Sequence, residues 1–359
     1  MKLIKISLFL ITLSVISAGC ISPELRTARI AVNERDWDRA LAAINGELTR
    51  MGPSAEPYFL KGMIYEQKAQ IAEKDTTQSL LEIYTQMSSL YDSSLAFSDM
   101  FASKISDSRE TLFRKFLKRS AEAADTANWN QALKNVDIAI AIAPNKRVLY
   151  QHAAVTAYNA ERYQVAIGYA LQETLKEHPD TVDLTTREVL VASYSNIDDK
   201  ANVLKWGQNL LSHCNPVADS AVYLRTHDQM LAVYESANRY DDAVALIDQA
   251  IRHFPNHSVM LMNKALFLIK KEDFQGAAKI YREALKLDPE NFDANLNLGT
   301  ILVTDKKWIE AIPFLKKAHE LDGTNSVAIR NLMAAYYNSE QVKLGKEIEA
   351  KLNALQGSK

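Results

Sequence analysis

Ser258–Asn291 reads SVMLMNKALFLIKKEDFQGAAKIYREALKLDPEN, and Phe292–Asn325 follows it directly as FDANLNLGTILVTDKKWIEAIPFLKKAHELDGTN. The two segments have equal length, and their features align. Tyr240, Phe274 and Trp308 are 34 residues apart, as are Ala243, Ala277 and Ala311, and again Ala250, Ala284 and Ala318. Pro255 and Pro289 continue the series, with Gly323 in the third place. Four columns in one register mark a repeated structural unit.

The spacing has a physical reading. Two antiparallel helices joined by a short turn approach closely only where side chains are small, so alanine or glycine recurs at the contact points and large apolar residues fill the gaps beside them. Asp288-Pro289 closes a unit, because proline cannot continue a helix and restricts the residue before it. Each helical pair leaves one apolar face that the next pair buries, which predicts a solenoid. Composition agrees. Glycine (11) and proline (9) are scarce in 359 residues and alanine (46) is abundant, which excludes a turn-rich β sandwich or barrel as the main fold. With 47% apolar and 24% charged residues the chain is neither disordered nor a multi-span membrane protein.

These columns resemble the tetratricopeptide repeat, which has a large residue at its fourth position and a small one at the eighth. An apolar or aromatic residue follows at the eleventh, alanine at the twentieth and twenty-seventh, and proline at the thirty-second. Ser258–Asn291 supplies Leu261, Ala265, Leu268, Ala277, Ala284 and Pro289; Phe292–Asn325 supplies Asn295, Gly299, Leu302, Ala311, Ala318 and Gly323. The register extends back through 224–257 and 113–146, with poorer units over 148–181 and 185–218, where Pro179 marks a one-residue slip, and a further unit over 21–54. A unit opening at Ala55 loses the spacing after Tyr65. A lengthened polar connection is expected there, then a long helix carrying Leu80, Ile83, Met87, Leu90 and Tyr91 on one face and running towards Phe113. The resemblance implies an all-α fold, an α-solenoid winding as a right-handed superhelix of about nine hairpins. The expected divisions are a leader over 1–19, irregular N-terminal units over 20–112, degenerate units over 113–222, and well-formed units with a charged capping helix over 223–359.

The leader begins with Lys2 and Lys5, continues as an apolar run from Ile6 to Ala18, and ends Gly19-Cys20. That is the pattern of a secretory signal peptide, and the run is too short to span about 30 Å of hydrocarbon as a helix. Ile16-Ser17-Ala18-Gly19-Cys20 resembles the bacterial lipobox, which implies acylation of Cys20 as the new N-terminus. Serine at Ser17 departs from the usual aliphatic residue. If sorting follows the familiar enterobacterial pattern, Ile21 points to the outer membrane, with the protein facing the periplasm. Removal of Lys2 and Lys5 with the leader leaves 40 basic against 44 acidic residues, a net of −4, and a phosphate-backbone binder would show a basic surplus.

Searches for chemistry return little. The glycines form no phosphate-cradling loop, and neither a Gly-x-Ser-x-Gly elbow nor a His-Glu-x-x-His helix is present. Pro255 separates His253 from His257, and adjacent His213 and Cys214 point in different directions, so core or solvated roles are expected for all of them. Asp198-Asp199 and Asp241-Asp242 fall at helix starts, where negative charge suits the helix dipole. No enzyme activity, metal or cofactor is expected.

A different column carries the functional expectation. Asn263, Asn297 and Asn331 occupy the sixth position of successive units, with Gln229 one unit earlier. The resemblance implies that this position faces a concave groove. A carboxamide offers one acceptor and two donors, which suits the backbone of an extended peptide of any sequence. Arg330 and Lys270 would add preference for acidic segments or a free carboxylate. Val259, Met262, Leu266, Ile269 and Leu296 are the apolar neighbours expected beside them. The same asparagines also fit an exposed column with no ligand. The chain thus reads as a lipid-anchored scaffold for proteins or peptides of the cell envelope, without nucleic acid. Two alternatives are a permanent subunit of an envelope or secretion complex with an occupied groove, and an enzyme with a site in 67–112.

Overall fold

The computed structural model describes residues 21–73, 79–175 and 182–357. The leader, Cys20 and Pro179 lie outside these residues. The described residues are mostly helical, with no strand, and fall into two compact units that divide between Ala160 and Glu161.

The first unit contains α1 (Pro23–Glu34), α2 (Trp37–Met51), α3 (Ala55–Ala72), α4 (Leu80–Phe97), a 3-10 turn (Asp99–Phe101), α5 (Ala102–Asp125), α6 (Trp129–Ile142) and α7 (Arg147–Asn159). The second contains α8 (Tyr163–Leu175), α9 (Leu184–Asn196), α10 (Lys200–His213), α11 (Ser220–Ser236), α12 (Tyr240–His253) and α13 (Ser258–Lys270). It continues with α14 (Phe274–Leu287), α15 (Phe292–Thr304), α16 (Trp308–Leu321), α17 (Ser326–Asn338) and α18 (Val342–Gly357). Within each hairpin the two helices pack on one another, as α1 does on α2 and α15 on α16. This is an all-α solenoid of helical hairpins.

One turn recurs. Arg35 has a φ of 60°, its N–H donates to the Val32 carbonyl, and the Asp36 N–H reaches back to Ala31 at 2.9 Å. This pair of bonds satisfies carbonyls that the helix end leaves unpaired. The same left-handed residue and bonds occur at Ala127, Asp198, Asn238, Glu272, Lys306 and Glu340, each two residues before the second helix of its hairpin. Asp36, Asn128, Asp199 and Asp273 then cap those second helices by accepting a backbone N–H three residues on. The acidic residues at helix starts are therefore caps in part.

The small-residue columns lie in the core. Ala243, Ala250, Ala277, Ala311 and Ala318 have no exposed surface, and Ala284 is 2% exposed. Asn295, the polar residue where a large apolar one is usual, is also buried. Its Nδ2 donates to the Pro289 and Asn291 carbonyls at 3.0 and 2.8 Å, so the side chain stitches the preceding turn to α15 and leaves no donor stranded.

The irregular region differs from expectation at one point. The helix carrying Met87 and Tyr91 on its buried face stops at Phe97 instead of running towards Phe113. Ser98 adopts extended backbone and its hydroxyl accepts from the Met100 N–H, opening the 3-10 turn. Ser98 favours such local side-chain bonding over helix continuation. The break lets Phe101 stack on Phe59 with ring centres 4.2 Å apart, and the chain resumes as α5.

Candidate functional site

α13 and α15 are the first helices of consecutive hairpins, and a cleft of about 420 Å³ opens between them. Val259, Met262, Asn263 and Leu266 line it from α13, at the spacing that places four residues on one helix face. Asp293 and Asn297 line it from α15. Val259 and Leu266 are 58% and 42% exposed, so apolar surface faces water here. Ile269 and Leu296, expected on the same stripe, are only partly buried and pack against the core of this unit, as Met262 also does.

The structure thus brings Asn263 and Asn297 into one cleft. The Asn263 side chain is half-buried and makes no hydrogen bond to another described residue. Asn297 lies beside the buried Tyr281 hydroxyl. Burial pushes that hydroxyl up to about 12, the Asn297 carboxamide opposes the shift, and the Asp293 charge adds to it. The contact lacks the geometry of a full hydrogen bond. Asn331 is differently employed, because its Nδ2 donates to Thr300 Oγ1 of α15 at 2.8 Å and ties α17 to its neighbour. Gln229, on α11, is half-buried and outside this cleft.

The two cations also stand apart from the cleft lining. Lys270 pairs with Glu235 at 2.8 Å, which raises its pKa, and its Nζ lies 5.9 Å from the centre of the Tyr240 ring. Arg330 is exposed and donates to Ser326 one turn earlier in its own helix. Asp293 is the one charged side chain in the described lining, so the cleft itself is neutral to slightly acidic. It was missed by reasoning on the sixth position alone, although it stands in the same column as Val259 and Val327, two exposed apolar residues.

His227 and His253 join an aromatic cluster. Tyr223 packs against His227, His253 and Phe254 with ring centres 4.3, 5.8 and 5.9 Å away. His227 Nδ1 donates to the Tyr223 carbonyl at 2.9 Å. Among the described residues no group of three or more histidines, cysteines or carboxylates has a geometry that would hold a metal ion. Cys214 is a free, buried thiol whose pKa is raised by burial and by Asp219.

Comparison with known families bears on the hairpins themselves. A tetratricopeptide repeat family profile matches residues 233–288 and 268–326. Residues 233–326 therefore match tetratricopeptide repeats. Those matches cover the α13–α15 cleft. Among solved structures, the C-terminal part of a tetratricopeptide-repeat-containing protein from Cytophaga hutchinsonii aligns with a TM-score of 0.51 at 15% identity, covering 69% of this chain and 96% of that one. Its likeness shows the shared fold. YrrB, described as a TPR protein with an unusual peptide-binding site, aligns with a TM-score of 0.43 at 13% identity over 54% of this chain and 96% of its own. MamA aligns with a TM-score of 0.43 at 16% identity over 50% of this chain and 93% of its own.

Proposed function

We infer that the chain is a lipid-anchored scaffold of the bacterial cell envelope, without catalysis, that holds an extended segment of a partner protein in the α13–α15 cleft. The observation that carries this reading is the joint placement of two underused carboxamides, Asn263 and Asn297, beside the water-facing Val259 and Leu266. An extended peptide presents a backbone donor and acceptor at every residue and side chains to alternate sides. The carboxamides would bond the backbone, and the exposed aliphatics would cover apolar side chains. The lipid anchor rests on the sequence from Ile16 to Cys20. The acyl group is the attachment that this leader sequence supports.

The test is a photo-crosslinking amino acid placed at Leu266 in cells that make the full chain. A discrete crosslinked partner that disappears when Asn263 and Asn297 are changed to alanine supports the groove. Equal crosslinking with and without the carboxamides counts against it. For the anchor, Cys20→Ser should release the protein from membranes into the soluble envelope fraction, and retention would remove the acyl reading.

A further inference from the structure

The first unit collects apolar side chains at one end. Ser22 donates to Glu47 at 2.6 Å and Arg50 pairs with Glu24 at 2.8 Å, so the start of α1 lies against the last turn of α2. Met51, at that last turn, is 65% exposed. Four residues later α3 begins, and the Ala55 carbonyl accepts from the Ser94 hydroxyl at 2.8 Å, which brings the last turn of α4 to the same end. Phe97 there is 51% exposed with one ring face on Tyr58, and Met100, on the 3-10 turn that follows, is 69% exposed. Burial does not explain them. The 3-10 turn that interrupts α4 and α5 is what carries Met100 to this end.

The same end is where the described chain begins. Ile21 and Ser22 lead directly from Cys20, so whatever holds Cys20 holds this end within a few residues' reach, at about 3.3–3.6 Å per extended residue. We propose that Met51, Phe97 and Met100 form a membrane-contact tip that seats in the headgroup layer beside the acylated Cys20 and fixes the orientation of the first unit on the bilayer. The proposal rests on the acyl anchor inferred above. Large flexible and aromatic apolar side chains are the ones that partition into the interface. Lys104 is exposed four residues beyond Met100, has no ion pair among the described residues, and suits a lipid phosphate. Asp99, exposed beside Met100, keeps the tip at headgroup depth and out of the hydrocarbon.

The experiment uses the full mature chain purified from membranes and reconstituted in vesicles of phosphatidylethanolamine and phosphatidylglycerol. A nitroxide is attached at Met100→Cys, with Met51→Cys and Phe97→Cys as independent reporters, in a Cys214→Ala background. Asp38→Cys, at the opposite end of the α1–α2 hairpin, is the control. Collision with oxygen and with a water-soluble nickel complex is measured at each site, and the mass of the N-terminal peptide is measured on the same sample. The expected result is an oxygen-to-nickel ratio several-fold higher at the three tip positions than at position 38. Equal ratios on an acylated, vesicle-bound chain overturn the tip and leave the anchor standing. Shielding of the tip from both reagents marks a protein neighbour and also overturns it. A chain without acyl mass that still seats the tip overturns the anchor alone; one that stays off the vesicles overturns both.

Discussion

Leu315 of α16 fills the space that a β-carbon on Gly299 of α15 would need, since such an atom would stand 2.5 Å from Leu315 Cγ. Leu315 has no exposed surface. The eighth position of the unit is therefore small because a neighbouring helix already occupies it. Gly62 stands in the same relation to the Tyr91 ring. Gly299→Val is expected to overpack this contact and lower stability by about 1–3 kcal/mol, read from urea unfolding. An unchanged midpoint would show that α16 can slide to make room.

The sixth-position asparagines should separate into two classes. Asn263→Ala with Asn297→Ala is expected to abolish partner capture while leaving helicity and the unfolding midpoint near their parent values. Asn331→Ala removes the bond to Thr300 and is expected to cost about 1 kcal/mol of stability. Circular dichroism melts beside a crosslinking assay check both. If Asn331→Ala costs no stability and abolishes capture alone, the peptide path lies further along the array than the cleft.

Acid should weaken the second unit through His227. The ring is 1% exposed, and burial lowers its pKa, partly offset by its bond to the Tyr223 carbonyl and by Asp228. Its folded pKa is thus below the unfolded value of about 6.5. The neutral form is the one the fold favours, so this stabilisation is present above that value and is lost as pH falls through the folded pKa. Unfolding midpoints measured from pH 7.5 to 5 should decline, and His227→Gln should flatten part of the slope. His152, similarly lowered by burial, adds a parallel decline in the first unit.

Glu73 anchors the end of α3. Its carboxylate accepts from the Tyr84 hydroxyl and from Lys115 at 2.8 Å, and from Arg119 at 3.1 Å. Burial raises its pKa, and the bonds and charges of these partners more than reverse that, so the net direction is down. Glu73→Ala would leave the buried Tyr84 hydroxyl unpaired and is expected to cost about 1–3 kcal/mol. Phe at position 84 in the same variant should recover part of the loss. No recovery would place the cost on Lys115 and Arg119.

The hairpins were legible because their determinants are local and periodic: Ala277 and Ala311 mark contacts, and Pro289 marks an end. The second helix of each pair follows from the same columns. The break at Ser98 was only partly legible: the serine's bond to its own backbone is local, but the stack of Phe101 on Phe59 that the break permits joins distant residues, which no spacing encodes. The cleft was half visible. Position six pointed to Asn263 and Asn297 together, but whether a carboxamide is already engaged depends on the residue opposite, and Thr300 lies 31 positions from Asn331. Lys270 reads as a free cation in sequence and is paired across helices in space. The aromatic cluster around Tyr223 joins two helices and the turn beyond them, with no repeat to announce it.

The left-handed turn at Asn238, Glu272, Lys306 and Glu340 has a constructional consequence. Every hairpin in this stretch enters its second helix through the same backbone gesture, so the junctions are interchangeable parts. Excising residues 258–291 would bring His257 against Phe292, two ends that already meet equivalent partners in the intact chain. The array is thereby open to being shortened or extended by whole hairpins without rebuilding a joint, and the length of the surface it offers becomes a quantity that gene duplication can adjust in fixed increments.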